Sequence, residues 1–321
     1  MGKCSLKNVA AKTPNLFSIL HLKYLLYLIL GTVIWGLSPI FYDLLYNVSS
    51  IEIVAHRSFW SAIFLFLYLY FFLGLNRKFF LKGFNELGLL FLAGILIAIN
   101  WYGFIYAVTS GNALQASLGY YIFPLVAVFL GIVFNQEKFT FIQILAICLV
   151  IISVVSLIYM NGEVPGLALI LAFSFGFYGL IKSNVKLNPI LSVTYETILI
   201  TPLAIMVMII FTEPTINREN IFADSTLILL IFSGLITAIP LVLFSTGTKV
   251  FSYATVGLVQ YLNPTIQFII AIFYFEEAFE LGHAIAFFLI WVALFIYSFE
   301  SISKELNKDG ISVSTLSKKL K

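Results

Sequence analysis

Long apolar stretches broken by short polar ones set the rhythm of this chain. Ten apolar runs lie at 23–43, 51–74, 85–107, 112–134, 140–160, 165–185, 190–211, 226–247, 252–275 and 281–301. At 1.5 Å rise per residue, about 20 residues of helix cross a hydrocarbon core of roughly 30 Å. The runs are too long for barrel strands and lack apolar/polar alternation. Each therefore predicts a transmembrane helix, and the fold class expected is all-α integral membrane. The connections are short and carry Gly, Pro, Asn and charge, as in "NRKFFLKG", "NGEVPG" and "NREN". The weakest punctuation is "TSGN", between the third and fourth spans.

Composition agrees with this pattern. Hydrophobic residues make up 61% and charged residues 10%, against roughly 25% charge in globular domains. The first 21 residues are basic and polar and carry no small-residue cleavage site, so no cleavable signal peptide is expected. Cys4 and Cys148 define neither a disulfide framework nor a metal site.

Charge orients the spans. With a cytoplasmic N-terminus, Lys3, Lys7, Lys12, Lys23, Arg77, Lys78, Lys82, Lys138, Lys182, Lys186, Lys249, Lys304, Lys308, Lys318, Lys319 and Lys321 all fall inside. Arg218 falls outside, and Arg57 lies within a span. So lopsided a split fits ten alternating crossings with both termini cytoplasmic, because a missed span would put the later loops on the wrong side.

A shift of 140 residues lays the chain on itself. "LLFLAGILIAI" (89–99) meets "LLIFSGLITAI" (229–239), and "ASLGYYIFPLV" (116–126) meets "VGLVQYLNPTI" (256–266). Twelve identities fall within 51 aligned positions, where this composition gives about 4 by chance. Pro124 recurs as Pro264, Tyr121 as Tyr261 and Glu137 as Glu277. The expected organisation is a tail (1–21), a five-helix repeat (22–161), a second repeat (162–301) and a tail (302–321). Five spans is an odd number, so the second repeat enters from the opposite face. Inverted halves are characteristic of secondary transporters, with the site near the midplane between them.

Pro124 and Pro264 lie in mid-span, where a proline kinks the helix and frees a carbonyl. Matched interrupted helices point to a binding site, although both prolines could serve packing alone. Arg57, beside His56 in "AHRSFWS", lies roughly 10 Å from the outer face. There it either serves as a gate facing the bundle or snorkels to the headgroups. Glu196 in "YETILITP" holds the repeat position of His56, near the opposite face. It is a candidate gate or proton-coupling group, or else a structural carboxyl bonded to nearby hydroxyls. Asn100, Gln115, Gln260 and Asn263 are uncharged hydrogen-bonders near the kinks, able to line a cavity or to hold helices together. Trp35, Trp101, Tyr120, Tyr121, Phe175 and Tyr178 add aromatic lining, with Trp35 and Phe175 paired by the repeat.

"AHRSFWS", "NWYGFIYAV", "GNALQASLGYYIFPLV", "SFGFYGLIK", "YETILITP", "TAIPLVLF" and "QYLNPTIQFIIA" resemble the RarD-type members of the EamA family. That family belongs to the drug/metabolite transporter superfamily, and these members are often labelled chloramphenicol-sensitive protein. The resemblance runs in order from about residue 24 to 300. It implies a ten-helix inverted-repeat carrier of the bacterial inner membrane. Its cavity would be lined mainly by spans one, three, four, six, eight and nine, with spans five and ten peripheral. One departure is Phe123, where an Asn commonly precedes the proline; Asn263 keeps the pattern in the second half.

The function expected is alternating-access transport of a small amphipathic organic solute. The partners expected are that solute, the bilayer and, as a candidate coupling ion, the proton. The chain would act as a monomer or homodimer with no cofactor and no nucleic-acid partner. No carboxylate or carbonyl cluster reads as an ion filter. A channel or non-transporting membrane partner is the alternative. A membrane-embedded enzyme is disfavoured, since His21, His56 and His283 are scattered and no nucleophile or metal constellation forms.

Overall fold

The computed structural model describes residues 16–73, 83–135, 140–162, 164–185, 187–211, 225–247 and 259–308. Among them lie ten helices and no strand. They are α1 (Leu16–Asp43), α2 (Ser50–Tyr68), α3 (Phe84–Thr109), α4 (Ala113–Asn135), α5 (Phe141–Asn161), α6 (Gly166–Asn184), α7 (Pro189–Phe211), α8 (Ser225–Gly247), α9 (Leu262–Phe273) and α10 (Leu281–Lys308). A π-helical turn, Leu69–Leu73, extends α2. Seven of these helices are long and apolar enough to cross a membrane. Three shorter apolar helices lie in α5, α6 and α9. Most helix ends fall close to the apolar runs. However, α1 starts at Leu16 and α10 runs to Lys308, beyond the spans expected, and residues 252–258 of the ninth run lie outside the described residues.

The "TSGN" break is a real helix end. Gly111 takes φ +72°, a left-handed conformation that glycine adopts without steric cost. The Asn112 N–H then closes back on the Ala107 carbonyl (2.7 Å) and the Gly111 N–H on that of Val108 (3.4 Å), the Schellman pattern. The next helix is capped from a distant segment. Ala113 and Leu114 N–H donate to Glu277 Oε1 (2.6 Å) and Oε2 (2.8 Å). Glu277 sits between α9 and α10; burial pushes its carboxyl up in pKa and the two N–H donors pull it down. Glu277→Ala strands both donors at the start of α4. We expect a stability loss of about 1–2 kcal/mol in detergent unfolding, with Glu277→Gln intermediate. No loss for Ala would show that the contact is idle.

Other long-range bonds likewise join segments at one end of the bundle. Tyr274 donates to Asp43 (3.3 Å), and Ser50 and Thr109 share a bond (3.1 Å). At the opposite end, Thr140 donates to Glu300 (2.9 Å) and Lys182 pairs with Glu196 (2.6 Å).

Helices meet closely where glycines remove the side chain. A Cβ on Gly94 (α3) would lie 2.7 Å from Ile200 (α7), and one on Gly234 (α8) only 2.4 Å from the Cβ of Trp60 (α2). The 140-residue shift turns Gly94 into Gly234 and Trp60 into Ile200, so the two contacts exchange partners. Gly36 against Ile266 and Gly176 against Val126 exchange in the same way. Whole helices follow: α1·α8 swaps with α3·α6, α1·α9 with α4·α6, and α2·α8 with α3·α7. The pairs α2·α7, α4·α9 and α5·α10 map onto themselves. α5 packs chiefly on α10, with Ser153 donating to the Ala286 carbonyl (3.0 Å). Large apolar side chains such as Phe72, Tyr159, Phe273 and Phe295 point outward, as a lipid-facing shell requires.

Candidate functional site

The polar groups inside the bundle fall into three clusters joined by aromatic rings. The first is built around Arg57 of α2, which is only 5% exposed. Its guanidinium carbon lies 4.4 Å from the ring centre of Trp101 (α3) and 5.5 Å from that of Tyr42 (α1). Nε donates to Thr237 Oγ1 on α8 (2.6 Å), and the Thr237 hydroxyl donates on to the Ser233 carbonyl (3.0 Å). Nη1 is buried and has no hydrogen-bond partner among the described residues. Arg57 thus faces the bundle, where α1, α3 and α8 converge on it. A buried guanidinium over aromatic faces is attracted by their quadrupoles, but rings supply no counter-charge.

The second cluster centres on Asn100, also fully buried. Its Nδ2 donates to the Leu171 carbonyl (3.0 Å) and Ser174 Oγ (3.2 Å) of α6, and its Oδ1 accepts from Tyr120 OH of α4 (3.0 Å). One amide thus ties α3, α4 and α6 together. Such bonds are worth making in a bilayer, where water is not available as a partner.

The third cluster lies at the other end. Glu196 of α7 has no exposure and accepts from Lys182 Nζ (2.6 Å), Ser192 Oγ (2.9 Å) and Tyr178 OH (3.0 Å). Lys182 also donates to Ser192. Lys182 and Glu196 come from the last turn of α6 and the early part of α7, which a short turn brings together.

Rings link the first cluster to the third. Tyr42 meets Phe104 (6.0 Å), Phe104 meets Tyr120 (6.0 Å), Tyr120 meets Phe175 edge-on (6.2 Å), and Phe175 stacks on Tyr178 (5.6 Å). Phe123, the departure from the family pattern, joins this column at 4.6 Å from Phe175. Edge-on and offset ring pairs at these spacings are favourable. The column runs unbroken from the cation at one end to the carboxylate at the other.

Of the residues singled out from sequence, Arg57, Trp101, Asn100, Tyr120, Phe175, Tyr178 and Glu196 come together along this column. The others are placed elsewhere. Tyr121 turns away, bonding Thr265 (2.7 Å) and packing on Phe287 and Trp291 of α10. Trp35 packs on Phe244 of α8 (5.5 Å). His56 accepts from Trp60 at Nδ1 (3.3 Å). Gln115 donates to Asn112 (3.4 Å) near the start of α4. Asn263 accepts from Gln267 (2.9 Å), and Gln260 precedes α9 by one short turn. Pro124 lies inside a continuous α4, whereas Pro264 sits in the first turn of α9, its carbonyl accepting from Ser117 Oγ of α4 (2.9 Å). Tyr42, Phe104, Lys182 and Thr237 were not foreseen as site residues. Lys182, near the end of the sixth run, read only as a cytoplasmic charge; Phe104 carried no signal beyond its recurrence as Phe244, and Tyr42 and Thr237 none beyond their residue type.

A groove of about 310 Å³ between α2 and α7 is apolar and shares no residue with these clusters; Phe66, Leu67 and Ile198 form its rim. Among the described residues no three His, Cys, Asp or Glu side chains gather to hold a metal ion.

The profile of the EamA-like transporter family matches this chain twice, over residues 22–159 and 165–299. The "Uncharacterized transporter YojE" of Bacillus subtilis is 37% identical over 284 residues, covering 87% of this chain and 95% of that protein. "Protein RarD" of Escherichia coli is 33% identical over 274 residues, covering 84% and 91%. A crystal structure with 15% identity superposes at a TM-score of 0.58, covering 86% of this chain and 97% of its own, and so shares the fold.

Proposed function

This chain belongs to the EamA-like transporter family and is a multi-pass membrane transporter; from that premise we propose that it moves a small organic solute by alternating access. The solute would sit against the aromatic column between two inverted five-helix halves.

The observation that carries this reading is the exchange of contacts. Gly94 meets Ile200 while Gly234 meets Trp60. A twofold relation between the halves produces such an exchange; a translated copy would carry each contact to a new pair. Two successive profile matches on one chain support the same duplication. Bonds that join turns at like ends of the bundle support alternating crossings. With an odd number of spans per half, the twofold axis lies in the membrane plane, so the two ends form similar gates. We assign the Arg57 end to the outer side and the Glu196 end to the cytoplasm, with both termini cytoplasmic and the chain in the inner membrane, from the distribution of Lys and Arg. The aromatic column and its neutral amide suit an amphipathic body better than a bare ion.

Counterflow in proteoliposomes tests the mechanism. Vesicles preloaded with an unlabelled solute should take up the labelled form faster than empty ones, and uptake should saturate. Unsaturable flux with no trans-acceleration would instead indicate a channel. The same assay at two pH values, comparing wild type with Glu196→Gln, tests proton coupling. An unchanged pH profile in the variant removes Glu196 from that role.

A further inference from the structure

We infer that the transported solute carries an anionic group of carboxylate type, and that the guanidinium of Arg57 is its receptor; this rests on the transporter reading above. The starting point is an uncompensated charge. Arg57 is 95% shielded, held by Thr237 through Nε and by the faces of Trp101 and Tyr42, yet Nη1 has no partner among the described residues. The acidic side chains in the neighbourhood are otherwise placed. Asp43 accepts from Tyr274. Glu52, five positions earlier on the same helix, is buried with Oε1 unpartnered, but it lies about 140° around the helix at 100° per residue, and no ion pair joins it to Arg57 among the described residues. The ion pair recorded among the described residues, Lys182 with Glu196, closes the other end of the column.

A guanidinium within a membrane bundle is costly unless an anion or a set of acceptors answers it. Here three sides are fixed by protein and one N–H edge is not. The neighbours already supply what holds an organic acid in place. Trp101 and Tyr42 present ring surface beside the cation, so an apolar body and an acidic head can be met together. Arginine suits this task, since its planar fork is always charged and matches carboxylate geometry. The contrast with the other end is chemical. Glu196 is satisfied by Lys182, Ser192 and Tyr178, and so offers a bound solute no comparable vacancy of hydrogen bonding.

A purely structural clamp is the competing role for Arg57, and matched probes separate the two. The panel is phenylacetate with phenylacetamide, indole-3-carboxylate with indole-3-carboxamide, nicotinate with nicotinamide, and hexanoate with hexanamide. Binding to the purified full chain is read by thermal shift and by quenching of tryptophan fluorescence. Exchange is read in phosphatidylcholine vesicles, which lack anionic headgroups. In wild type at least one acid should bind tenfold or more tightly than its amide. Arg57→Gln should abolish that preference, and Arg57→Lys should keep part of it, because charge survives while the planar fork does not.

Three results would overturn the assignment: equal binding of acid and amide, no binding by any acid, or an acid preference that persists in Arg57→Gln. Should Arg57→Gln fail to fold, the wild-type comparison and Arg57→Lys still decide. Amides exchanged as well as acids would sink the anion assignment and leave alternating access standing. Acid binding that depends on Arg57, without any exchange, would do the reverse.

Discussion

Lys182→Met should lower stability by about 3 kcal/mol, the low end of the cost of breaking a buried ion pair. The low end applies because the Lys182 side chain is 19% exposed, whereas Glu196 has no exposure. Removing the ammonium leaves a carboxylate enclosed by α6 and α7 with only the hydroxyls of Ser192 and Tyr178 to answer it. Glu196→Gln should cost less, about 1 kcal/mol, since the amide keeps an acceptor for Tyr178 and the stranded Lys182 reaches solvent. The double variant should be more stable than the sum of the two losses predicts, because the unpaired charge is then gone. Equilibrium unfolding in detergent micelles gives all three values. Additive losses, or a Lys182→Met cost below about 0.5 kcal/mol, would mean that the pair is a solvated surface contact.

Gly234→Ala should be nearly as damaging, at about 3 kcal/mol, the top of the usual range for overpacking. An added methyl would stand 2.4 Å from the Trp60 Cβ, 2.8 Å from its backbone carbonyl carbon and 2.9 Å from the Ser61 nitrogen. Two of those atoms are backbone, so α2 and α8 must part for the substitution to fit. Gly94→Ala should cost less. Its tightest contact is the Cγ2 of Ile200 at 2.7 Å, a side-chain atom, and the nearest backbone atom, the Glu196 carbonyl oxygen, is further off at 3.1 Å. Gly179 has open space around it, so Gly179→Ala should be neutral or stabilising by up to about 1 kcal/mol through helix propensity. The ranking 234, 94, 179 is read from thermal unfolding of the three variants. Gly234→Ala melting with wild type would refute the close crossing of α2 and α8. The wedge also lies beside the Arg57–Thr237 bond, so counterflow should fall in Gly234→Ala even in protein that remains folded.

The site was legible only in part, and the pattern of misses is physical. Arg57 and Glu196 stood out because charge inside an apolar run is expensive and therefore rare. Asn100 stood out for the same reason, with cavity lining and helix binding both open as its task. Its two donors go to Leu171 and Ser174 and its oxygen to Tyr120, so the amide holds three helices together. Tyr120 and Tyr121 looked alike in the sequence. About 100° of helix rotation sends one to the column and the other to α10. Lys182 counted only toward topology, because its partner Glu196 is fixed by how α6 and α7 pack. Pro264, expected near a helix interruption, stands in the first turn of α9, just after the turn at Tyr261.

What the chain determined by itself is everything governed by one-dimensional physics. Hydrocarbon thickness converts apolar run length into helices, and the distribution of Lys and Arg is the ground for the orientation proposed above. A 140-residue period sets the duplication, and the cost of isolated charge marks Arg57 and Glu196. Tertiary structure alone decided who answers whom. It set Trp101, Tyr42 and Thr237 around one cation, Lys182 beside the carboxylate, and a ring column between them. The reason is that partnership depends on helix rotation and on crossings of a few ångströms, set here by glycines such as Gly94 and Gly234 whose neighbours are remote in sequence.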